Sequence, residues 1–282
     1  MKPASSKATS AVLALLFSAG LFWGPAPRPL LAQADGTDKE SNHLNGKYLG
    51  RMAVDFSRVV SSPLHWTGKD FLIFGAAAGT AAVFFGLDRG IQEWVEDNPK
   101  IRSSPFSLGV TRFGEGPFLL GLSAALYVGG EAFRNNSLRK TGLLSLESYA
   151  INGIIVTVIK FVLGRSRPFS GEGAHTFNWF SWESHEHSFP SGHSSSAFAV
   201  ASVIAGQSPS AVVGALSYSL AALVALSRVN NNEHWASDVV AGSLLGYFIG
   251  KAVLALNRPS PKDKPTLSFA PGLRGFSLAL RF

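Results

Sequence analysis

Two histidines in the sequence have neighbours that suit them to catalysis. His234 and Asp238 are four residues apart at the predicted start of a helix, so their side chains can meet on one face. A carboxylate bonded to one imidazole nitrogen fixes the tautomer and leaves the other nitrogen free to attack an electrophile. His193 closes the sequence PSGH, just before an apolar run. A second imidazole is therefore expected on the first turn of a helix.

The same PSGH sequence predicts a binding place for an anion. Ser191 is a good helix N-cap, and Gly192 lets a ligand come close to the backbone. The first amides of a helix are unpaired, and the helix dipole favours negative charge beside them. Taken alone, so short a pattern fits an ordinary helix cap with a surface histidine equally well.

Three cations stand near these histidines in the sequence. Lys160 and Arg167 lie seven residues apart in KFVLGRSRP, so two helical turns would bring both to one face. Gly164 and Pro168 are expected to end that helix, and Pro168 favours an extended Arg167. Arg228, in SRVNNNEHWASD, adds a planar cation suited to phosphate oxygens. The alternative is that Lys160 and Arg167 only snorkel from the edge of an apolar helix.

Apolar segments separated by Pro, Gly and Asn clusters predict an all-α bundle of six helices over residues 70–258, with a short tail at 259–282. The expected helices are Phe71–Leu87, Pro117–Gly130, Leu143–Leu163, Ser194–Ala205, Ala211–Leu226 and Val239–Leu256. The alternating tail residues predict a β-hairpin that turns at Pro271-Gly272.

Residues 1–34 have the three parts of a secretory signal peptide. Lys2 and Lys7 precede an apolar run, and Ala32-Gln33-Ala34 provides a small-residue cleavage site. Residues 35–69 then form an N-terminal arm. A membrane span needs about 20 apolar residues, and several predicted helices are shorter. Helix length alone leaves the question open. If the signal is cleaved, counting helices places the loops with Arg167 and His234 on the cytoplasmic side, whereas the distribution of Lys and Arg favours the opposite side. Because both cannot hold for six spans, we expect an exported bundle in the periplasm or cell envelope, associated with a membrane. The alternative is an integral inner-membrane protein with six spans.

Composition narrows the possible functions. The chain has 282 residues and no cysteine, which excludes disulfides, thiolate metal sites and cysteine nucleophiles. Hydrophobic residues make up 46% and charged residues only 15%, against about 25% charged residues in soluble domains. Loss of residues 1–34 would lower the formal charge from +7 to +4 by removing three cations. No basic block suggests a nucleic-acid partner.

Taken together, KFVLGRSRP, PSGH and SRVNNNEHWASD resemble the three-part signature of the type-2 phosphatidic acid phosphatase superfamily. This superfamily includes lipid phosphatases, bacterial non-specific acid phosphatases and vanadium haloperoxidases. The resemblance covers the signature core at residues 160–238, and the surrounding helix pattern extends it to roughly residues 70–256. Each of the last two parts is followed by an apolar helix, as the family requires.

The resemblance implies a role for each residue. Lys160, Arg167, Arg228, Ser191 and the Gly192 amide would hold the phosphate oxygens. His234 would be the nucleophile, Asp238 its orienting partner, and His193 the proton donor to the leaving oxygen. The expected substrate is a phosphorylated lipid or a small organic phosphate, cleaved through a phosphohistidine without a metal or another cofactor. Vanadate would be an inhibitor that competes for the same pocket.

Other readings of the same residues remain open at this stage. A vanadium-dependent haloperoxidase would use the same pocket, with vanadate as cofactor bound to His234. A non-catalytic envelope protein could keep the fold, although its signature should then be broken. His185-Glu186-His187 is a weak metal candidate, since a solvated loop explains it equally well. Trp179 and Trp182 in the same loop could instead roof the pocket.

Overall fold

The computed structural model describes residues 42–98, 100, 102, 104–258, 266–272 and 275–281. Within these ranges the chain is mostly helical, which confirms the all-α prediction. Eight α-helices form there: α1 Gly46–Ser61, α2 Gly68–Glu96, α3 Pro105–Thr111, α4 Gly116–Ala132, α5 Asn136–Leu163, α6 Gly192–Gln207, α7 Ala211–Asn230 and α8 Ala236–Leu256. All six expected helices are present, but the count of six is wrong, because α1 and α3 were not anticipated.

Helix α1 escaped prediction because it is amphipathic rather than apolar. Asn45 caps it, accepting a hydrogen bond from the Tyr48 amide at 2.9 Å. Phe56 and Val59 pack against a core of buried residues from α5, α6 and α8, while most of the other α1 side chains face outward. A single packed stripe gives no continuous apolar run, so a search for such runs passes over this helix.

Helix α6 lies against α5, α7 and α8, and its contact with α8 is very close. Three α8 glycines at four-residue intervals face the α6 backbone. A Cβ atom on Gly242 or Gly250 would lie 2.5 Å from the carbonyl oxygen of Ser191 or Ala199, and one on Gly246 would collide with the Ser195 carbonyl. Small residues at this spacing let helices approach closely. The glycine stripe thereby fixes the N-terminus of α6 beside that of α8.

Within the described part of the chain, four helices are long and apolar enough to cross a membrane: α2, α5, α7 and α8, with 29, 28, 20 and 21 residues. The segments expected for three of them, α2, α7 and α8, were shorter than about 20 residues, because the apolar segments were ended at polar residues such as Asp88 through which the helices continue. Their outer faces expose large apolar side chains, including Leu72 at 73% and Leu216 at 65%. These features support membrane association.

The C-terminal tail contains two antiparallel strands, β1 Thr266–Gly272 and β2 Gly275–Arg281. The turn predicted at Pro271-Gly272 is misplaced by a few residues. Pro271 pairs with Phe276 inside the ladder, and Gly272 pairs with Gly275. The predicted signal peptide, residues 1–34, lies outside the described residues.

Candidate active site

The loop that carries Arg167 leaves α5 by a sharp reversal. Helix α5 ends at Leu163, and Gly164 takes a left-handed conformation with φ +55°. A Cβ on Gly164 would also collide with the Asn178 carbonyl, so glycine is required there on two grounds. The expectation that Lys160 and Arg167 share one helix face is therefore wrong. The chain reversal, rather than helical periodicity, brings Arg167 back towards the site.

Lys160 occupies the last turn of α5 and points into the bundle. Its Nζ donates to the carbonyl oxygens of His187 and Ser188, the latter at 3.3 Å. Both carbonyls belong to the loop that leads into PSGH, and the Lys160 side chain lies beside Gly192. This lysine therefore joins the end of α5 to the start of α6.

Arg167 and Arg228 come together from different parts of the chain, as the signature predicts. Arg167 Nη1 donates to Glu233 Oε2 at 2.6 Å, and Arg228 Nη2 lies 3.4 Å from the same oxygen. Arg228 Nη1 donates to Thr111 Oγ1 at 2.7 Å. The Nε atoms of both arginines are buried and have no hydrogen-bond partner among the described residues. Each of these two guanidinium groups therefore keeps a donor that a ligand oxygen could use.

Helix α6 begins at Gly192, as PSGH predicts, but Ser191 does not cap it. The Ser191 side chain is buried and makes no capping bond to the helix backbone; its Oγ instead accepts from Ser194 Oγ at 2.9 Å. The Ser191 amide donates to the Asp238 carbonyl at 3.0 Å, which ties α6 to α8. Without a side-chain cap, the first amides of α6 stay available to an anion.

His234 lies just before α8, which starts at Ala236, rather than on its first turn. Its Nδ1 is 3.6 Å from Asp238 Oδ2 and 3.5 Å from Ser188 Oγ. The ring is buried, with 3% exposed. The predicted His234–Asp238 pair is therefore present, with Ser188 as a third member at the same imidazole nitrogen.

Asp238 is held mainly by groups other than His234. Its Oδ2 accepts from the Trp235 amide at 2.9 Å and from Ser188 Oγ at 2.5 Å. Its Oδ1 accepts from Arg165 Nη1 at 2.5 Å. The other end of the Arg165 guanidinium donates from Nη2 to Asp88 Oδ2 at 2.7 Å. Arg165 thus bridges two carboxylates, and all three side chains are fully buried.

Asp88 also supports the start of α8. It accepts hydrogen bonds from the Ser237 amide at 2.9 Å and from Ser237 Oγ at 2.5 Å. Because Asp88 belongs to α2, this long helix is linked to the segment that carries His234. We call Asp88, Arg165, Ser237 and Asp238 the buried ion network.

The surrounding charges set the electrostatics of both imidazoles. Burial, together with the positive charges of Lys160, Arg167 and Arg228, holds the pKa of His234 well below its usual 6.5. His193, at the first turn of α6 and outside the four long apolar helices, is affected in the same way. Burial and the charges of Arg228, Arg167 and Lys160 lower the pKa of His193 to about 3. Both rings are therefore neutral at ordinary pH, and both feel the same three cations.

In the loop before PSGH, the side chains of His185, Glu186 and His187 are not arranged as a metal site. His187 Nε2 contacts the Ser181 carbonyl at 2.8 Å, while His185 Nε2 is 3.8 Å from Glu186 Oε1. Over the described ranges, no three His, Asp or Glu side chains are grouped to hold a metal ion. Trp182 packs on Phe161 at the end of α5, 4.3 Å between ring centroids, and remains 75% exposed.

Sequence reasoning missed five residues of this site: Asp88, Thr111, Arg165, Ser188 and Glu233. Arg165 lies inside the KFVLGRSRP segment, and Asp88 directly follows the apolar segment Phe71–Leu87. Both residues could have been noticed in the sequence, because an Arg or Asp beside an apolar segment is almost never fully buried without a partner. Thr111 and Ser188 are ordinary residues in the sequence, and only the fold reveals their contacts.

Comparison with known proteins agrees with this geometry. Residues 141–261 match the PAP2 superfamily. The chain is 31% identical over 137 residues to a protein named lipid A 1-phosphatase from Porphyromonas gingivalis, covering 47% of this chain and 28% of that protein. It is 29% identical over 199 residues to a lipid A 1-phosphatase from Rhizobium etli, covering 65% of this chain and 82% of the relative. The match therefore spans under a third of the first relative and most of the second.

A solved structure has a similar fold. It is the transmembrane PAP2-type phosphatidylglycerolphosphate phosphatase from Bacillus subtilis, with a TM-score of 0.51 and 26% identity. The similarity covers 69% of this chain and 95% of that structure. The matched residues 141–261 include Lys160, His193 and His234 and the segments around them. By its match to the family model and its similar fold, the segment 141–261 is a PAP2 superfamily domain.

Proposed function

We propose that this protein is a membrane phosphatase that hydrolyses lipid phosphates through a phosphohistidine on His234, without a metal ion. The observation that supports the proposal is the meeting of Arg167 and Arg228 at one carboxylate directly before the buried His234 ring, where each arginine keeps an Nε without a partner among the described residues. These donors, with Lys160 and the open amides of α6, suit a tetrahedral oxyanion. The relatives named above are phosphatases, which supports the same chemistry.

In the first step, His234 Nε2 attacks phosphorus and the bond from phosphorus to the leaving oxygen breaks. His193 donates a proton to that oxygen, so the leaving group departs as an alcohol. The low pKa of His234 keeps its lone pair available for attack in mildly acidic solution. Asp238 and Ser188 at Nδ1 orient the ring and stabilise the charge that develops on it.

In the second step, neutral His193 takes a proton from water, and the hydroxide oxygen forms a bond to phosphorus. The nitrogen–phosphorus bond breaks, which releases inorganic phosphate and restores His234. Binding of the phosphate dianion offsets the three nearby cations, so His193 takes up from solution the proton that it donates in the first step, and it loses the proton gained from water when inorganic phosphate leaves. Phosphoryl transfer needs mainly fixed positive charge around the oxygens. Lys160, Arg167 and Arg228 supply that charge, so the proposal requires no metal.

The placement of the site favours a lipid substrate. His193 and His234 lie where α6 and α8 begin, and Lys160 and Arg228 lie where α5 and α7 end. The site is therefore at one end of the long apolar helices, the position at which a lipid headgroup meets water. We propose an integral membrane protein with its site at one membrane face, and export by a signal peptide remains a sequence prediction.

The experiment is a substrate panel assayed with the purified full-length chain in detergent. Phosphatidate, phosphatidylglycerolphosphate, lipid A and p-nitrophenyl phosphate are each tested with and without a chelator, beside His234→Ala. We expect phosphate release from at least one lipid, unchanged by chelator and abolished by the substitution. Activity lost on chelation, or retained by His234→Ala, would contradict the proposal.

A further inference from the structure

Glu233 stands directly before His234 and contacts two of the cations that the phosphate is expected to use. Its Oε2 accepts from Arg167 Nη1 at 2.6 Å and lies 3.4 Å from Arg228 Nη2. One carboxylate oxygen therefore bridges two guanidinium groups, as a phosphate oxygen would. The resemblance to the family assigns no role to Glu233.

The side chain of Glu233 differs in burial from the carboxylates behind His234. It is 35% exposed, whereas those of Asp88 and Asp238 are fully buried. The Glu233 backbone is fixed, because its amide donates to the Arg228 carbonyl at 3.1 Å. Rotation of the side chain alone can move the carboxylate into solvent, while the backbone that leads to His234 stays in place.

The two arginines retain donors that Glu233 does not use. Both Nε atoms are buried without a partner among the residues described, although Glu233 contacts the same guanidinium groups. An oxyanion that used these donors would come close to the Glu233 carboxylate, and two like charges at such a distance repel each other strongly. Binding of phosphate and the present position of Glu233 therefore oppose each other.

We propose that Glu233 is an internal competitor for the phosphate site. Its carboxylate holds Arg167 and Arg228 until a phosphate displaces it, and it returns to them when inorganic phosphate leaves. The effect is weaker binding of every oxyanion and faster release of product. This inference rests on the proposed function, because it takes the two arginines as phosphate ligands.

The test is the binding of inorganic phosphate and vanadate to the purified full-length protein, measured by titration calorimetry. Glu233→Gln removes the charge and keeps the size of the side chain. We expect both oxyanions to bind about two- to fivefold more tightly, the range for loss of a partly exposed ion pair. Inhibition of turnover by product phosphate should strengthen by the same factor, with a lower KM. Glu183→Gln is the matched control, since Glu183 is exposed in the loop before PSGH.

The possible outcomes separate the inference from the function on which it rests. Weaker oxyanion binding by Glu233→Gln would make Glu233 a positioning residue for the arginines and overturn the proposal. Unchanged binding, or an equal gain in Glu183→Gln, would overturn it too. If the unsubstituted protein bound no oxyanion and hydrolysed no substrate, the proposed function itself would fail.

Discussion

The two sides of His234 are built from similar residues but are completed differently. Behind the ring, the buried ion network pairs Arg165 with Asp88 and Asp238, and hydroxyls and amides fill the remaining positions. In front of it, Arg167 and Arg228 share one partly exposed carboxylate, and each keeps a buried Nε that no described residue contacts by a hydrogen bond. Behind the ring two carboxylates share one cation, whereas in front of it three cations, Lys160, Arg167 and Arg228, outnumber the nearby acids Glu233 and Glu115.

This difference separates scaffold from binding site. A buried charge is tolerated only when it is paired and hydrogen-bonded, so a complete network serves to hold its members in place. Donors without a protein partner are costly unless something else supplies an acceptor. By this reasoning Arg165 positions Asp238 and the α8 start, whereas Arg167 and Arg228 are there for a ligand. Arg165 and Arg167 lie two residues apart in one GRSRP segment, and this sequence context gives no hint that their roles differ.

The largest expected effect comes from a substitution in the buried ion network. Arg165→Met leaves Asp88 and Asp238 facing each other without their cation, which should cost about 3–5 kcal/mol of folding free energy. Activity should be lost as well, because the α8 start is no longer held. The measurement is unfolding in detergent, followed by temperature or denaturant, beside the activity assay.

A double substitution sharpens the same point. Adding Asp88→Asn to Arg165→Met removes one of the two uncompensated carboxylates and should recover part of the lost stability. If Arg165→Met unfolds at the same temperature as the unsubstituted protein, the network is not the scaffold described here.

A substitution on the side of Arg167 and Arg228 should affect activity rather than stability. Arg167→Met removes one charge-assisted contact to phosphate and should lower kcat/KM about ten- to a hundredfold. The unfolding temperature should stay within a degree or two of the original, because the lost Glu233 pair is partly exposed and worth about 1 kcal/mol or less. Arg89→Met is the control, since Arg89 pairs with Glu93 on the exposed face of α2. A large loss of stability in Arg167→Met would erase the contrast between the two sides.

The smallest expected effect is a proton taken up when a dianion binds. In the free protein the pKa of His193 is about 3, because of burial and the charges of Arg228, Arg167 and Lys160. A bound dianion offsets those charges and raises this pKa, so the complex holds more protons than the free protein and binding tightens as pH falls. Sulfate is the probe, because it remains fully ionised from pH 5 to 8. Calorimetry in buffers of different ionisation enthalpy should show uptake, and buffer-independent heats would contradict it.

The sequence predicted the helices better than it predicted the polar contacts. The six apolar helices follow from local patterns, and the structure contains all six. The signature residues were found from local patterns too, but Arg167 reaches the site by a chain reversal and His234 precedes its helix. Arg165 and Asp88 could not be joined by such reasoning, because they are 77 residues apart and meet only when α2 packs beside the loop after α5. Ser191 has the residue type of a cap, yet its hydroxyl bonds to Ser194 instead. Local preference was overruled there by the packing of α6 against α8.

The central claim is that His234 carries the phosphoryl group. The most direct test is to mix the purified protein with a radiolabelled substrate, quench within milliseconds, and map the label by mass spectrometry under alkaline conditions that preserve phosphohistidine. His193→Ala should slow both the formation and the hydrolysis of the intermediate, because His193 acts in both steps. The label is expected on His234 and on no other residue, and it should be absent in His234→Ala. A label on another residue, or none in a protein that turns over substrate, would contradict the account.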